Sequence, residues 1–96
     1  QLGDLVLDMD ASTASRAGSV LDLTATELRL LSYLADQRGR VVSKDQILAA
    51  VWGYDAYDPN LVEVYISALR RKLEAHGPRM LHTVRGIGYR LSAGEQ

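Results

Sequence analysis

"TVRGIGYRL", Thr83–Leu91, sets two glycines one residue apart inside β-branched and aromatic sequence. A Gly-x-Gly pair can open a phosphate-binding loop, but a dinucleotide loop needs a third glycine and a following helix. Here Tyr89, Arg90 and Leu91 follow, which is strand sequence near the chain end. The stretch therefore reads as a hairpin. Gly86 and Gly88 are expected to supply the positive φ angles of its turn. Arg85 is then expected to project from the tip, with the Thr83 hydroxyl on the adjoining strand. "RMLHTV", Arg79–Val84, is the partner strand.

Upstream of the hairpin lie three helical patterns. In "LTATELRLLSYLADQRG", Leu23–Gly39, Thr24 and Glu27 form a capping box, with Leu23 and Leu28 as its hydrophobic staple. Leu28, Leu31 and Leu34 share one face, with Leu30 beside them, and Gly39 closes a helix over roughly 25–37. "VVSKDQILAAVWG", Val41–Gly53, repeats the logic: Ser43 with Gln46, Val42 with Ile47, then Gly53. The third, "NLVEVYISALRRKLEAHG", Asn60–Gly77, runs to about His76. Pro59 suits its first position with Asp58 as cap, and Asn60 with Glu63 is a rival cap. Residues 4–23 alternate in short pieces around Gly18 and read as a small antiparallel sheet.

The third helix has an unusual outer face. At about 100° per residue, Val62, Ile66, Leu69 and Leu73 form one stripe, with Tyr65 at its edge. Opposite lie Asn60, Val64, Ser67, Ala68 and Arg71, with Arg70 and Glu63 on one flank and Leu61 on the other. A solvent face would carry longer charged side chains. Small residues let a helix approach a surface closely. Methyl groups can meet thymine methyls in a major groove, and arginine can reach guanine or phosphate. A helix packed against another protein domain would look the same, so composition alone leaves both readings open.

The chain has 96 residues, enough for one domain, and a net charge of −1. Residues 1–59 carry five Lys/Arg and nine Asp/Glu, giving −4; residues 60–96 carry six and three, giving +3. Those two halves sum to −1. A positive end on a near-neutral domain suits a polyanion but is equally a solvated face. The absence of cysteine removes disulfides and thiolate chemistry and fits a reducing cytoplasm. No constellation of nucleophile, base and orienting group points to an enzyme, and none to a metal or cofactor. Ser43 and Thr24 read as caps, and His76 and His82 have no obvious ligand partners. The chain opens on Gln1 rather than Met, which suggests a domain from a longer protein.

"LTATELRLLSYLADQRGRVVSKDQILAAVWG", "VEVYISALRRKLE" and "HTVRGIGYRL", in this order and spacing, resemble the C-terminal winged-helix effector domain of OmpR/PhoB-type response regulators. The resemblance covers nearly the whole chain. It implies an α+β winged helix-turn-helix over residues 1–96, with an N-terminal four-stranded antiparallel sheet, three helices and a C-terminal β-hairpin wing. It implies binding of double-stranded DNA at tandem half-sites and control of transcription. It also implies an absent N-terminal receiver domain, phosphorylated by a sensor kinase, and an isolated domain that is monomeric without DNA.

By resemblance, Asn60, Val64, Ser67, Ala68 and Arg71 face bases. Trp52, Tyr65, Arg70, Thr83 and Tyr89 touch the DNA backbone, and Arg85 is the wing arginine of the minor groove. Tyr54, Asp55, Ala56 and Tyr57 form the loop that contacts RNA polymerase. Ala68 and Asn60 stand where several members carry arginine, which favours apolar contact and DNA shape over direct hydrogen bonds. The competing readings are a winged-helix protein-interaction module and the same DNA-binding domain in a non-receiver or membrane-anchored regulator.

Overall fold

A computed structural model describes residues 2–53 and 58–92. In chain order these form β1 (Leu5–Asp8), β2 (Thr13–Arg16), β3 (Ser19–Val20), α1 (Ala25–Asp36), α2 (Lys44–Val51), α3 (Asn60–Glu74), β4 (Leu81–Val84) and β5 (Gly88–Leu91). β1, β2 and β3 make one antiparallel sheet, and β4 and β5 make another. The architecture is α+β.

The N-terminal sheet has three strands among the described residues, not four. β3 holds only Ser19 and Val20; Leu21 donates one more backbone bond to Ala14 at 2.8 Å, and the chain then turns into α1. The next residues are committed to the helix cap, so a further strand has no segment to draw on. Ala17 and Gly18 link β2 to β3, both with positive φ (53° and 83°). That matches a two-residue hairpin turn whose twist suits the strands.

Both capping boxes form. Thr24 and Glu27 exchange bonds of 2.9 and 3.1 Å, and Ser43 and Gln46 exchange bonds of 2.8 and 3.1 Å. Each box satisfies two otherwise orphaned N–H groups, so both helix starts are set locally. α3 begins at Asn60, so Pro59 takes the cap position rather than the first helical one; the Asp58 carboxylate still accepts from the Asn60 N–H at 3.0 Å. The rival Asn60–Glu63 cap does not form; Glu63 bonds to Lys44 instead.

α1 sits centrally, against α2, α3 and β5. That position explains why Leu30 is buried along with Leu28, Leu31 and Leu34. Val62, Ile66, Leu69 and Leu73 of α3 are all buried, each contributing roughly 2 kcal/mol of apolar burial. The stripe fixes which way α3 faces.

Candidate nucleic-acid interface

With that stripe inside, the opposite face of α3 is left outside. Asn60, Val64, Ser67 and Arg71 are exposed, and Ala68 is half-buried. Val64 is 63% exposed, a large apolar side chain on an otherwise polar surface. Such a residue lacks an internal packing role, so its chemistry is available to a partner.

The wing stands beside this face. Val84 pairs with Gly88, and Arg85, Gly86 and Ile87 make the turn, closed by the Ile87 N–H donating to Val84 at 3.0 Å. Gly86 has φ 78° and carries the left-handed step as expected. Gly88 does not. A Cβ there would lie 1.9 Å from the Val42 carbonyl oxygen, so its glycine is required by close backbone approach. The cause is a pairing that no periodicity signals: Val42 and Tyr89 exchange backbone bonds of 2.8 and 2.9 Å, docking the segment before α2 along β5.

Arg85 and Thr83 are exposed on the wing. Arg70 reaches from α3 to β4, donating to the Leu81 carbonyl at 3.1 Å and to the Thr83 hydroxyl at 2.7 Å. The helix and the wing are thus tied by two side chains that both read as backbone contacts in the sequence. Trp52 and Tyr65 are half-buried and pack edge to face, with centroids 5.2 Å apart and rings at 60°. Tyr89 is only 6% exposed, so its ring belongs to the core and only its rim reaches the surface groove. Tyr54, Asp55, Ala56 and Tyr57 lie outside the described residues.

That groove, about 560 Å³, opens between α2, the start of α3 and the wing, and its lining includes Lys44, Glu63, Thr83 and Tyr89. Lys44 bonds to Glu63 across it, and this bond holds the Lys44 ammonium above its ordinary pKa. On β4, burial, reinforced by Arg90, Arg79 and Arg70, holds His82 below its ordinary value.

The family described as "Transcriptional regulatory protein, C terminal" matches residues 18–91. The chain belongs to this family, the winged-helix effector domains of OmpR/PhoB-type response regulators. The transcriptional regulatory protein PrrA of Mycobacterium leprae is 50% identical over 90 residues, covering 92% of this chain and 39% of the relative. The effector domain thus spans about two fifths of the length of the curated relatives it matches. A crystal structure of the response regulator AdeR DNA-binding domain, in complex with an intercistronic region, superposes with a TM-score of 0.87 at 31% identity. The match covers 96% of this chain and 97% of that one. The Klebsiella pneumoniae RstA DNA-binding domain, in complex with the RstA box, gives 0.84 at 31% identity, covering 97% and 95%.

Two features of this effector domain escaped sequence reading. Arg16 is 2% exposed. It donates to Asp4 at 3.1 Å, to the Leu73 carbonyl at 2.7 Å and to the Pro78 carbonyl at 2.5 Å. It therefore caps the C-terminal end of α3 from the far sheet. Gly77 makes room for it: a Cβ there would lie 2.9 Å from the guanidinium. Glu27 is also buried, and beyond its capping box it accepts from Lys72 of α3 at 2.6 Å. Burial pushes the Glu27 carboxyl up. The bonds from Lys72 and Thr24 outweigh it, and its pKa lies below the ordinary carboxylate value. An arginine in a short strand and a glutamate in a cap both have sufficient local explanations, so neither announces a distant partner.

Proposed function

We propose that this domain binds double-stranded DNA by sequence, as the output domain of a two-component response regulator that controls transcription. The observation that carries this reading is the outer face of α3. Val64, Ser67, Asn60 and Arg71 are exposed there, beside a wing that presents Arg85. α3 would lie in the major groove with Val64 and Ala68 offering methyl groups to thymines, while Arg85 reaches the adjacent minor groove. Trp52, Tyr65, Arg70, Thr83 and the rim of Tyr89 would follow the phosphates. Family membership and the likeness to the DNA-bound AdeR and RstA domains support DNA binding by this domain.

The proposal extends to the whole regulator. A receiver domain, phosphorylated by a sensor kinase, would precede this domain. Two copies would occupy tandem half-sites, each monomeric without DNA. Tyr54, Asp55, Ala56 and Tyr57 would contact RNA polymerase, and the protein would act in the cytoplasm. No described helix is long and apolar enough to cross a membrane. One observation favours a second reading: Val64 and Ile87, both 63% exposed, also suit a protein-interaction module.

Selection of bound sites from random DNA at defined salt, followed by footprinting, separates the two. The DNA reading expects an enriched site and a protected pair of half-sites. Val64→Glu sets a carboxylate against base edges and should abolish specific binding while leaving the circular dichroism spectrum and melting temperature intact. Near-normal affinity of a folded Val64→Glu domain for the selected site would overturn this placement of α3.

A further inference from the structure

A carboxylate on the flank of a helix that meets a polyanion, facing the groove between α2 and the wing, needs a reason. Glu63 stands on the first turn of α3, next to Val64 and one turn before Ser67, and its side chain is 51% exposed. Residues at the start of a recognition helix are those placed to meet base edges. Lys44, at the start of α2, donates to Glu63 Oε2. The other oxygen, Oε1, accepts no hydrogen bond among the described residues. Among the outward side chains of α3 near it, Val64 and Ala68 offer methyls, Ser67 a hydroxyl, Asn60 an amide and Arg71 a guanidinium. Glu63 alone in this group is a pure acceptor.

We propose that Glu63, held by Lys44, is a specificity-determining residue that accepts a hydrogen bond from the exocyclic amine of a cytosine in the major groove. The inference rests on the reading of α3 as the base-reading helix. Cytosine presents its N4 amine as a donor there without an acceptor of its own alongside. Adenine also presents an amine, but its N7 acceptor lies beside it and would face the carboxylate's lone pairs. Guanine and thymine offer acceptors at the corresponding edge and repel an acceptor-only group. Lys44 has two roles as a positioning residue. Its ammonium offsets the carboxylate charge against the flanking phosphates, and its bond holds Glu63 in one orientation, so less side-chain freedom is lost on binding.

The test is site selection from random DNA with wild type, Glu63→Gln, Glu63→Ala, Lys44→Met and Lys44→Arg, each checked for folding by circular dichroism. Wild type should enrich cytosine at one position of the half-site. Glu63→Gln should exchange that cytosine for adenine, since glutamine pairs with the adenine N6 and N7 together, and leave the other positions unchanged. Discrimination at that position should be about tenfold or more, and Glu63→Ala should lose it without gaining another base. Lys44→Met should lower the cytosine preference at the same position, and Lys44→Arg should restore it. A wild-type site that Glu63→Gln and Glu63→Ala leave unchanged overturns this inference alone. So does a Glu63→Gln protein that binds every DNA more tightly with no change of preference, because the carboxylate would then merely repel phosphates. If wild type enriches no site, the DNA reading fails and this inference falls with it.

Discussion

Each sheet carries an arginine beside a tight turn, and the two arginines have opposite fates. Arg16 precedes the Ala17–Gly18 turn and Arg85 precedes Gly86. In sequence both are a cation next to a glycine turn. In the fold Arg16 is buried against Asp4, Leu73 and Pro78, whereas Arg85 stands exposed at the wing tip. The difference lies in what each hairpin faces. The N-terminal sheet covers the end of α3, where unpaired helix carbonyls and the Gly77–Pro78 turn need donors. At the wing tip Arg85 is exposed, and no described residue accepts a hydrogen bond from it. The first arginine serves the fold; the second is exposed, as the proposed DNA contact requires.

The strongest way to break that contrast is to remove each cation and measure stability. Arg16→Ala leaves the Leu73 and Pro78 carbonyls without their donor and Asp4 without its counterion. It should cost about 3 kcal/mol in urea unfolding. Arg85→Ala should cost less than about 0.5 kcal/mol, as an exposed substitution does. Equal losses would mean that burial of Arg16 adds nothing.

DNA affinity should reverse the order. Arg85→Ala should weaken binding by about 1–3 kcal/mol and lower the log–log salt slope by about one. The loss should be greater on A·T-rich flanks, where a narrow minor groove has the strongest negative potential. Arg79, at the far end of the same hairpin, bonds to Glu74 at 2.6 Å and should matter much less. Titrations of the two variants at several salt concentrations decide it; identical behaviour on both flanks would make the wing a plain surface hairpin.

The smallest expected effect is in the pH dependence of stability, and it separates buried from exposed charge once more. Glu27 has a lowered pKa, so the folded domain binds fewer protons than the unfolded chain near and below the ordinary value of 4.5. Its contribution is present above that value and is lost as pH falls through the folded pKa. His82 is also lowered from 6.5. Folding therefore disfavours its protonation, and stability declines as pH falls below 6.5 and through the folded pKa. Urea midpoints from pH 8 to 3 should show two declines. Glu27→Gln should flatten the acid one and His82→Gln the one near neutrality. Arg85→Ala should alter neither.

How much of this was legible beforehand follows from where each interaction closes. The capping boxes of Thr24–Glu27 and Ser43–Gln46 close within three residues, and the buried stripe of α3 repeats within two turns. Local chemistry and periodicity were therefore sufficient for the three helices, the closing hairpin and the outward face centred on Val64. The bridge between Val42 and Tyr89 spans half the chain, and it is the reason for Gly88. A turn glycine and a glycine pressed against a backbone look identical in sequence, so the sequence alone assigns Gly88 to the turn.

By itself, the sequence determined the three helices, the closing hairpin, their order, the inward face of α3 and the family, but not the strand count of the N-terminal sheet. The features it determined depend on spacing along the chain, which any local window contains. Only the tertiary structure decided which polar groups remain available. Arg16, Glu27 and Lys72 are consumed by bonds across the fold, Arg70 and Thr83 partly so, and Arg85 not at all among the described residues. Hydrogen-bonding capacity is finite, and whether a side chain spends it inside the fold depends on which carbonyls and carboxylates packing brings within about 3 Å.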